Sequence, residues 1–367
     1  MIGFQYVTSI ALIIVALYVH IQYEYMRTYD IGMNREQIVA TKLTQTMARQ
    51  QKALTQRLKQ HPAVEDVAYA QNDVVSPEDR MWGTSYQGKH VVLTMLSVTP
   101  NFLSMMDIPV AEGRNFSPDD QQRQGVYILN QTACRQYGME VGQPLGRHLG
   151  GGSAPIVGVA RDFNFKPLYY PIGPAAFYVE NPDALDNMLY TYIKISGHNP
   201  AATLQDIRKT LLEFDPNAAN ILQVDFMDES YGSFYLKEDL LSSQITLFSL
   251  LAVLISTVGA FGLILFETQY RRKEIGLRKV FGATVGNILG MFNRRYIRIV
   301  TVCFVIAAPV AYYAIAEWQS HFLYQAPLEG WIFVAALLLV SLVTALTVTL
   351  QSYRAATENP AHSITNE

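Results

Sequence analysis

Two stretches of the chain carry no charge and no break in apolar character: Leu240 to Phe266 (LLSSQITLFSLLAVLISTVGAFGLILF) and Trp331 to Leu350 (WIFVAALLLVSLVTALTVTL). A helix needs about 20 apolar residues to cross the hydrocarbon core of a bilayer, so both are predicted to span a membrane. Tyr296 to Ala316 is a third such segment, with Arg298 near enough to one end to snorkel and Pro309 placed to kink it. Phe4 to Ile21 is a fourth and shorter one. It lacks a basic leader and a small-residue cleavage site, and Tyr18, His20 and Tyr23 crowd its far end, so it reads as a retained helix rather than a secretory signal.

Between the first and second spans the pattern changes to that of a soluble domain. Leu43, Met47, Leu54 and Leu58 recur at four- and seven-residue steps on a Gln- and Lys-rich background, which predicts an amphipathic helix. A second helix is expected after Asn199, with Pro200 at its first position and Asp215-Pro216 beyond its end. Short β-branched and aromatic runs lie between them: His90 to Val98, Val126 to Asn130, Ile156 to Ala160, Leu189 to Ser196 and Ile221 to Phe226. The predicted fold is therefore a membrane protein of four transmembrane α-helices, with a large α+β domain inserted between helices 1 and 2.

Charge then sets the orientation. From Glu267 to Arg298 there are eight Lys or Arg against two acidic residues, a local balance of +6, whereas Glu317 to Gly330 has no Lys or Arg. Clustered cations in short loops stay on the cytoplasmic side, so the expected order is helix 1 (1–21), a large external domain with its stalk connections (22–239), helix 2 (240–266), a cytoplasmic loop (267–295), helix 3 (296–316), a short external loop (317–330), helix 4 (331–350) and a cytoplasmic tail (351–367). Both termini are then cytoplasmic, in a multi-pass membrane protein. Gln22 to Glu238 holds 19 basic and 24 acidic residues, a balance of −5 with no polybasic tract. That is ordinary soluble-domain chemistry and no nucleic-acid footprint.

Catalytic and metal-binding patterns are absent from the sequence, and no cofactor is expected. Gly83 to Lys89 has the spacing of a phosphate-cradling loop, but His90 stands where Ser or Thr would hold magnesium and a strand-like run follows instead of a helix, so a glycine-containing hairpin is predicted. The seven histidines, His20, His61, His90, His148, His198, His321 and His362, form no ligand pair. Gly150-Gly151-Gly152 reads as a flexible turn. Cys134 and Cys303 fall in different compartments and imply no disulfide. The chain reads as non-enzymatic.

The basic loop is the informative segment. In a helix over Thr268 to Phe281, Arg271 and Arg278 share one side, as do Arg272 and Lys279, and Glu274 lies three residues after Arg271 and four before Arg278. Such pairs stabilise a helix by about 0.2–0.5 kcal/mol each. Ile275, Leu277, Val280 and Phe281 supply an apolar side, Gly282 a stop, and Thr284 a cap for the helix that follows. Ala252, Ser256 and Ala260 recur every four residues on the second span, as do Ser341, Ala345 and Thr349 on the fourth. Small residues at that spacing let helices approach closely, and the first stripe is predicted to meet a second copy of the chain.

RRKEIGLRKVFGA, Arg271 to Ala283, resembles the loop between the second and third membrane helices of the FtsX/MacB-like family of ABC transporter permeases. Phe102 to Pro109, Glu112 to Ser117, Val126 to Asn130 followed by Gly142 to Gly146, and Ile156 to Phe163 are similar to the family's periplasmic domain, and Ala355 to Pro360 to its tail. The opening of the chain resembles the second half of double-length, eight-span permeases, which makes an upstream permease half one expected partner and a second copy the other.

The resemblance implies an ATPase-coupling loop formed by Arg271, Arg272, Lys273, Glu274, Ile275, Gly276, Leu277, Arg278, Lys279 and Gly282. It would dock on a separate ABC ATPase subunit and pass its closure to the periplasmic domain by mechanotransmission. Export or extraction of a peptide, drug or lipoprotein follows, alongside a periplasmic adaptor. Two other readings stay open here: a non-transporting regulator of a partner such as a cell-wall hydrolase, and a membrane-anchored external sensor or enzyme without an ATPase.

Overall fold

The structure is a computed structural model that describes residues 2–78, 81–121, 125–146, 152–179, 187–197 and 199–357. It divides into two compact units, one of residues 1–26 with 236–367 and the other of residues 27–235. The predicted glycine turn at 150–152 lies outside the described residues except for Gly152, as do the tail positions from Glu358 to Pro360 and histidines 148, 198 and 362.

The chain opens with α1 (Ile2–Thr28), which continues past the predicted end at Ile21. The second unit then runs through β1 (Ile38–Lys42), α2 (Gln45–Ala48), α3 (Gln51–Leu58), β2 (Val64–Ala70), β3 (Met81–Tyr86), β4 (Lys89–Ser97), α4 (Phe102–Met105), β5 (Val110–Gly113), β6 (Val126–Asn130), α5 (Gln131–Tyr137), β7 (Pro144–Gly146), β8 (Ser153–Ala160), β9 (Ala175–Val179), β10 (Tyr190–Ile195), α6 (Pro200–Phe214), β11 (Val224–Phe226) and α7 (Met227–Gly232). The chain returns to the first unit through α8 (Leu236–Tyr270), α9 (Arg272–Val280), α10 (Val285–Gln319) and α11 (Trp331–Thr357).

Among the described residues, the second unit contains two sheets. One has the order β11-β1-β10-β2, antiparallel throughout, with Ala40 opposite both Tyr192 and Asp225. Its inner face buries Val39, Val67, Tyr69, Ile193 and Val224 against Leu54 and Leu58 of α3 and Ile207 and Leu211 of α6. Asn199 caps α6 by accepting from Ala202 N, with Pro200 at the first helical position. The single helix expected over Leu43 to Leu58 is two pieces. A short-range bond from Gln50 N to Met47 O tightens the chain between them, yet Leu43, Met47, Leu54 and Leu58 still enter one core.

The other sheet is mixed, in the order β3-β4-β9-β6-β8-β5 with β7 beside β8. Its middle strand β9 is buried along its whole length, as a strand covered on both faces must be. Gly83 to His90 falls within the β3–β4 hairpin, with Gln87 and Gly88 at φ of 48° and 76° in the turn. Met81 and Trp82 open β3, and the strand expected from Ile221 begins only at Val224, because Leu222 N bonds to Ala218 O and keeps the preceding turn closed.

In the first unit, α1, α8, α10 and α11 are each long and apolar enough to cross a membrane. They share one core, to which α1 contributes Tyr6, Ile10, Ile14 and Tyr18. Buried hydroxyls tie α1 to its neighbours: Ser9 to Ser256 of α8 at 2.7 Å, and Tyr6 to Thr344 of α11 at 3.4 Å. At the other end Tyr18 Oη donates to Ala326 O at 2.9 Å. There Gln22 both donates to Tyr324 O and accepts from Ala326 N.

Candidate functional site

The basic segment is a helix between two helices. The backbone ladder runs from α8 through Arg271, whose φ of −92° and ψ of 8° mark a bend where one unbroken helix was expected. The far end of α9 closes with two bonds, Ala283 N to Arg278 O and Gly282 N to Lys279 O, around Gly282 at φ 88°. This is the Schellman arrangement, which a residue with a side chain adopts only under strain. Two residues later the Thr284 hydroxyl accepts from Asn287 N and starts α10, eleven residues before the predicted third span.

α9 has three faces. Ile275 and Gly276 are buried, and Ile275 packs in the same core as Ile264, Ile288 and Phe292. A second strip is ionic: Glu274 accepts from Arg278 at 2.7 Å and from Arg271 at 3.4 Å. Arg271 also reaches Glu267, which is 9% exposed and is shared with Arg295 and with the hydroxyl of Tyr296 at 3.3 Å. One buried carboxylate of α8 thus holds the start of α9 and the first third of α10.

The third strip, Lys273, Leu277 and Val280 with Phe281 beyond, faces outward. Leu277 is 55% exposed, Val280 63% and Phe281 82%. The apolar side expected to be continuous is split, because Ile275 lies about 200° around the helix from Leu277 at 100° per residue. Arg272 is exposed and Lys279 half-buried.

The stripe on the second span is placed differently from its prediction. Ser256 and Ala260 are buried and face the chain's own α1 and α11, with Tyr6, Ser9, Val340 and Thr344 around them. Ala252 is half-buried on the same side. Phe248, Leu251, Ile255 and Val258 of α8 are exposed.

A further joint, absent from the sequence reading, lies where the second unit begins and ends. Arg35 is 8% exposed. One guanidinium nitrogen donates to Arg27 O at 2.6 Å and to Tyr29 O at 3.0 Å, Nε meets Asp228 at 3.3 Å, and the group stacks 4.2 Å above the Tyr231 ring. It therefore satisfies carbonyls at the end of α1 while gripping α7, which leads into α8. Burial pushes the Tyr231 hydroxyl well above the ordinary tyrosine range, and Tyr235 donates to it.

Two family comparisons cover most of the chain. The MacB-like periplasmic core domain matches residues 2–210, and the FtsX-like permease C-terminal region matches residues 246–360. The macrolide export ATP-binding/permease protein MacB of Chromobacterium violaceum is 24% identical over 251 residues, 65% of this chain and 38% of that protein. A probable export ATP-binding/permease protein of Pseudomonas fluorescens is 24% identical over 223 residues, 58% of this chain and 33% of that one. The chain thus spans about a third of the length of these curated relatives. Among solved structures, the periplasmic region of MacB from Actinobacillus actinomycetemcomitans aligns with a TM-score of 0.41 at 12% identity, covering 57% of this chain and 97% of that one.

Proposed function

Since the chain belongs to the permease family that joins a MacB-like periplasmic core to an FtsX-like membrane region, we propose that it is the membrane subunit of an ABC exporter and that its α9 is the contact for an ATPase outside residues 1–367. The observation that carries this reading is the division of labour on α9. Arg271 and Arg278 are braced by Glu267 and Glu274, while Leu277, Val280 and Phe281 are left outward on a helix tied to both α8 and α10. An exposed apolar strip of that kind is what a partner groove takes in helix-in-groove recognition.

In this reading α9 lies in the cytoplasm, both termini are cytoplasmic, and residues 27–235 lie in the periplasm of a bacterium, above the inner membrane. ATPase closure moves α9, the ion pairs carry that displacement into α8 and α10, and the Arg35 joint passes it to the external unit. The work is mechanotransmission, serving export of a peptide, drug or lipoprotein. The relatives' names support export, and α8, α10 and α11 supply the embedded scaffold.

Two measurements test it. Leu277→Asp with Phe281→Asp in the full chain is expected to keep membrane insertion and to abolish both capture of a partner ABC ATPase and stimulation of its ATP hydrolysis; undiminished stimulation would overturn the docking assignment. Arg271→Glu, Arg272→Glu and Arg278→Glu together are expected to do the same while also loosening α9. Orientation is checked with Lys273→Cys in a chain with both native cysteines replaced: an impermeant maleimide added to intact cells should leave it unlabelled, and labelling would reverse the topology.

A further inference from the structure

The outer face of the four-stranded sheet carries a cavity of about 290 Å³ within residues 27–235. Strand register explains its shape. Asp225, Ala40 and Tyr192 sit side by side across β11, β1 and β10, and Lys42 and Tyr190 form the next row of the same face. Ala40, small and central, makes the floor. Tyr231 and Phe234, from α7 and the turn after it, close one side, and Asp73 another.

The lining combines three aromatic side chains, Tyr190, Tyr231 and Phe234, with two carboxylates and one ammonium. The Asp73 carboxylate is held in place by the Tyr192 hydroxyl, which donates to it at 2.9 Å and accepts from Val74 N at 2.8 Å. Asp225 is exposed and has no ion pair among the described residues. Lys42 already lies 5.8 Å from the Tyr190 ring centroid, so an aromatic face of this cavity is in use as a seat for a cation.

We infer that this cavity is a binding site for an organic cation, a protonated or quaternary amine carried on a small apolar or aromatic body. Its charge goes to Asp225 and Asp73, its body to the rings, and Lys42 is the internal cation it competes with. The volume suits one such group rather than a whole large ligand. Because Tyr231 and Phe234 lie within five residues of the start of α8, an occupant also steadies the connector into that helix. The inference stands on the cavity alone and does not need an ATPase.

The test is calorimetric titration of the full chain in lipid nanodiscs with benzyltrimethylammonium, corrected against empty nanodiscs. Saturable binding is expected, with none for phenylpropionate, which has a similar body and the opposite charge. Asp225→Asn should weaken it roughly tenfold and Phe234→Leu roughly threefold. Lys42→Gln should tighten it roughly threefold by removing the competing charge. Amide exchange over residues 227–235 should slow when the ligand is bound. No saturation above the empty nanodisc, equal binding of phenylpropionate, or weaker binding in Lys42→Gln each overturns the assignment. ATPase stimulation is measured separately, so its absence bears only on the coupling reading.

Discussion

Glu267→Gln removes one charge from the centre of the α8–α9–α10 junction without changing its shape. The carboxylate is 9% exposed and serves Arg271, Arg295 and Tyr296. A buried charged hydrogen bond contributes about 1.5–3 kcal/mol, and an exposed ion pair about 0.2–1 kcal/mol. The side chains of Arg271 and Arg295 are 33% and 53% exposed, so water takes up part of the loss. The expected cost is then about 2 kcal/mol for the attachment of α9, which corresponds to a roughly 30-fold rise in its open population. Amide hydrogen exchange over residues 275–281 reads that population directly. Glu274→Gln is the internal comparison. It breaks two pairs on the helix surface worth about 0.2–0.5 kcal/mol each, so exchange there should rise only about two- to fivefold. If Glu274→Gln opens α9 as much as Glu267→Gln, the buried carboxylate is not the anchor and the argument fails.

Arg35→Met keeps the bulk of the side chain and removes its bonds to Arg27 O, Tyr29 O and Asp228. The second unit should lose about 3 kcal/mol, seen as a lower unfolding midpoint, with ATPase stimulation uncoupled even where the fold survives. Asp120 accepts two bonds from Arg114 at 2.7 and 2.8 Å and two from Ser117, and the Arg114 guanidinium foremost holds its carboxyl below the usual carboxylate range. Its folded pKa lies below its unfolded one, so the stability it contributes is present above about pH 4 and is lost as pH falls through the folded value; Asp120→Asn should lower the midpoint at pH 7 and flatten its fall on acidification. Gly282→Ala forces a side chain into left-handed backbone and should cost α9 about 1 kcal/mol, visible as roughly fivefold faster exchange in its last turn. Burial pushes the Cys134 thiol up to about 11, so iodoacetamide at pH 7.5 should leave it unmodified until the chain unfolds.

What could be read in advance was local. The uninterrupted apolar runs within α8 and α11 announce membrane helices because nothing else keeps every backbone group satisfied in lipid. Gly282 and Thr284 announce a helix end and a helix start because caps act within four residues. The placement of the Ser256 stripe could not be read, since small side chains signal close approach but not the identity of the helix that approaches. Arg35 was invisible for the same reason, because Asp228 and Tyr231 lie nearly two hundred positions along the chain and only the antiparallel closure of β11 on β1 brings them back. The cavity beneath Tyr231 is likewise a product of register. Asp73, Tyr190 and Asp225 have no common period, and one slip of the pairing would put Asp225 on the core face.

The Gln22 amide engages the α10–α11 connection through both its oxygen and its nitrogen, as one more strand partner would. Together with Tyr18 it fastens three of the four long helices at one end, so that α1, α10 and α11 pivot there as a single piece. α8 carries no such fastening at that end among the described residues; it meets α1 through the Ser9–Ser256 pair, and its far end is tied to α10 through Glu267. α8 is therefore pinned at its Glu267 end and splays most easily at the other, a hinged leaf beside a three-helix post.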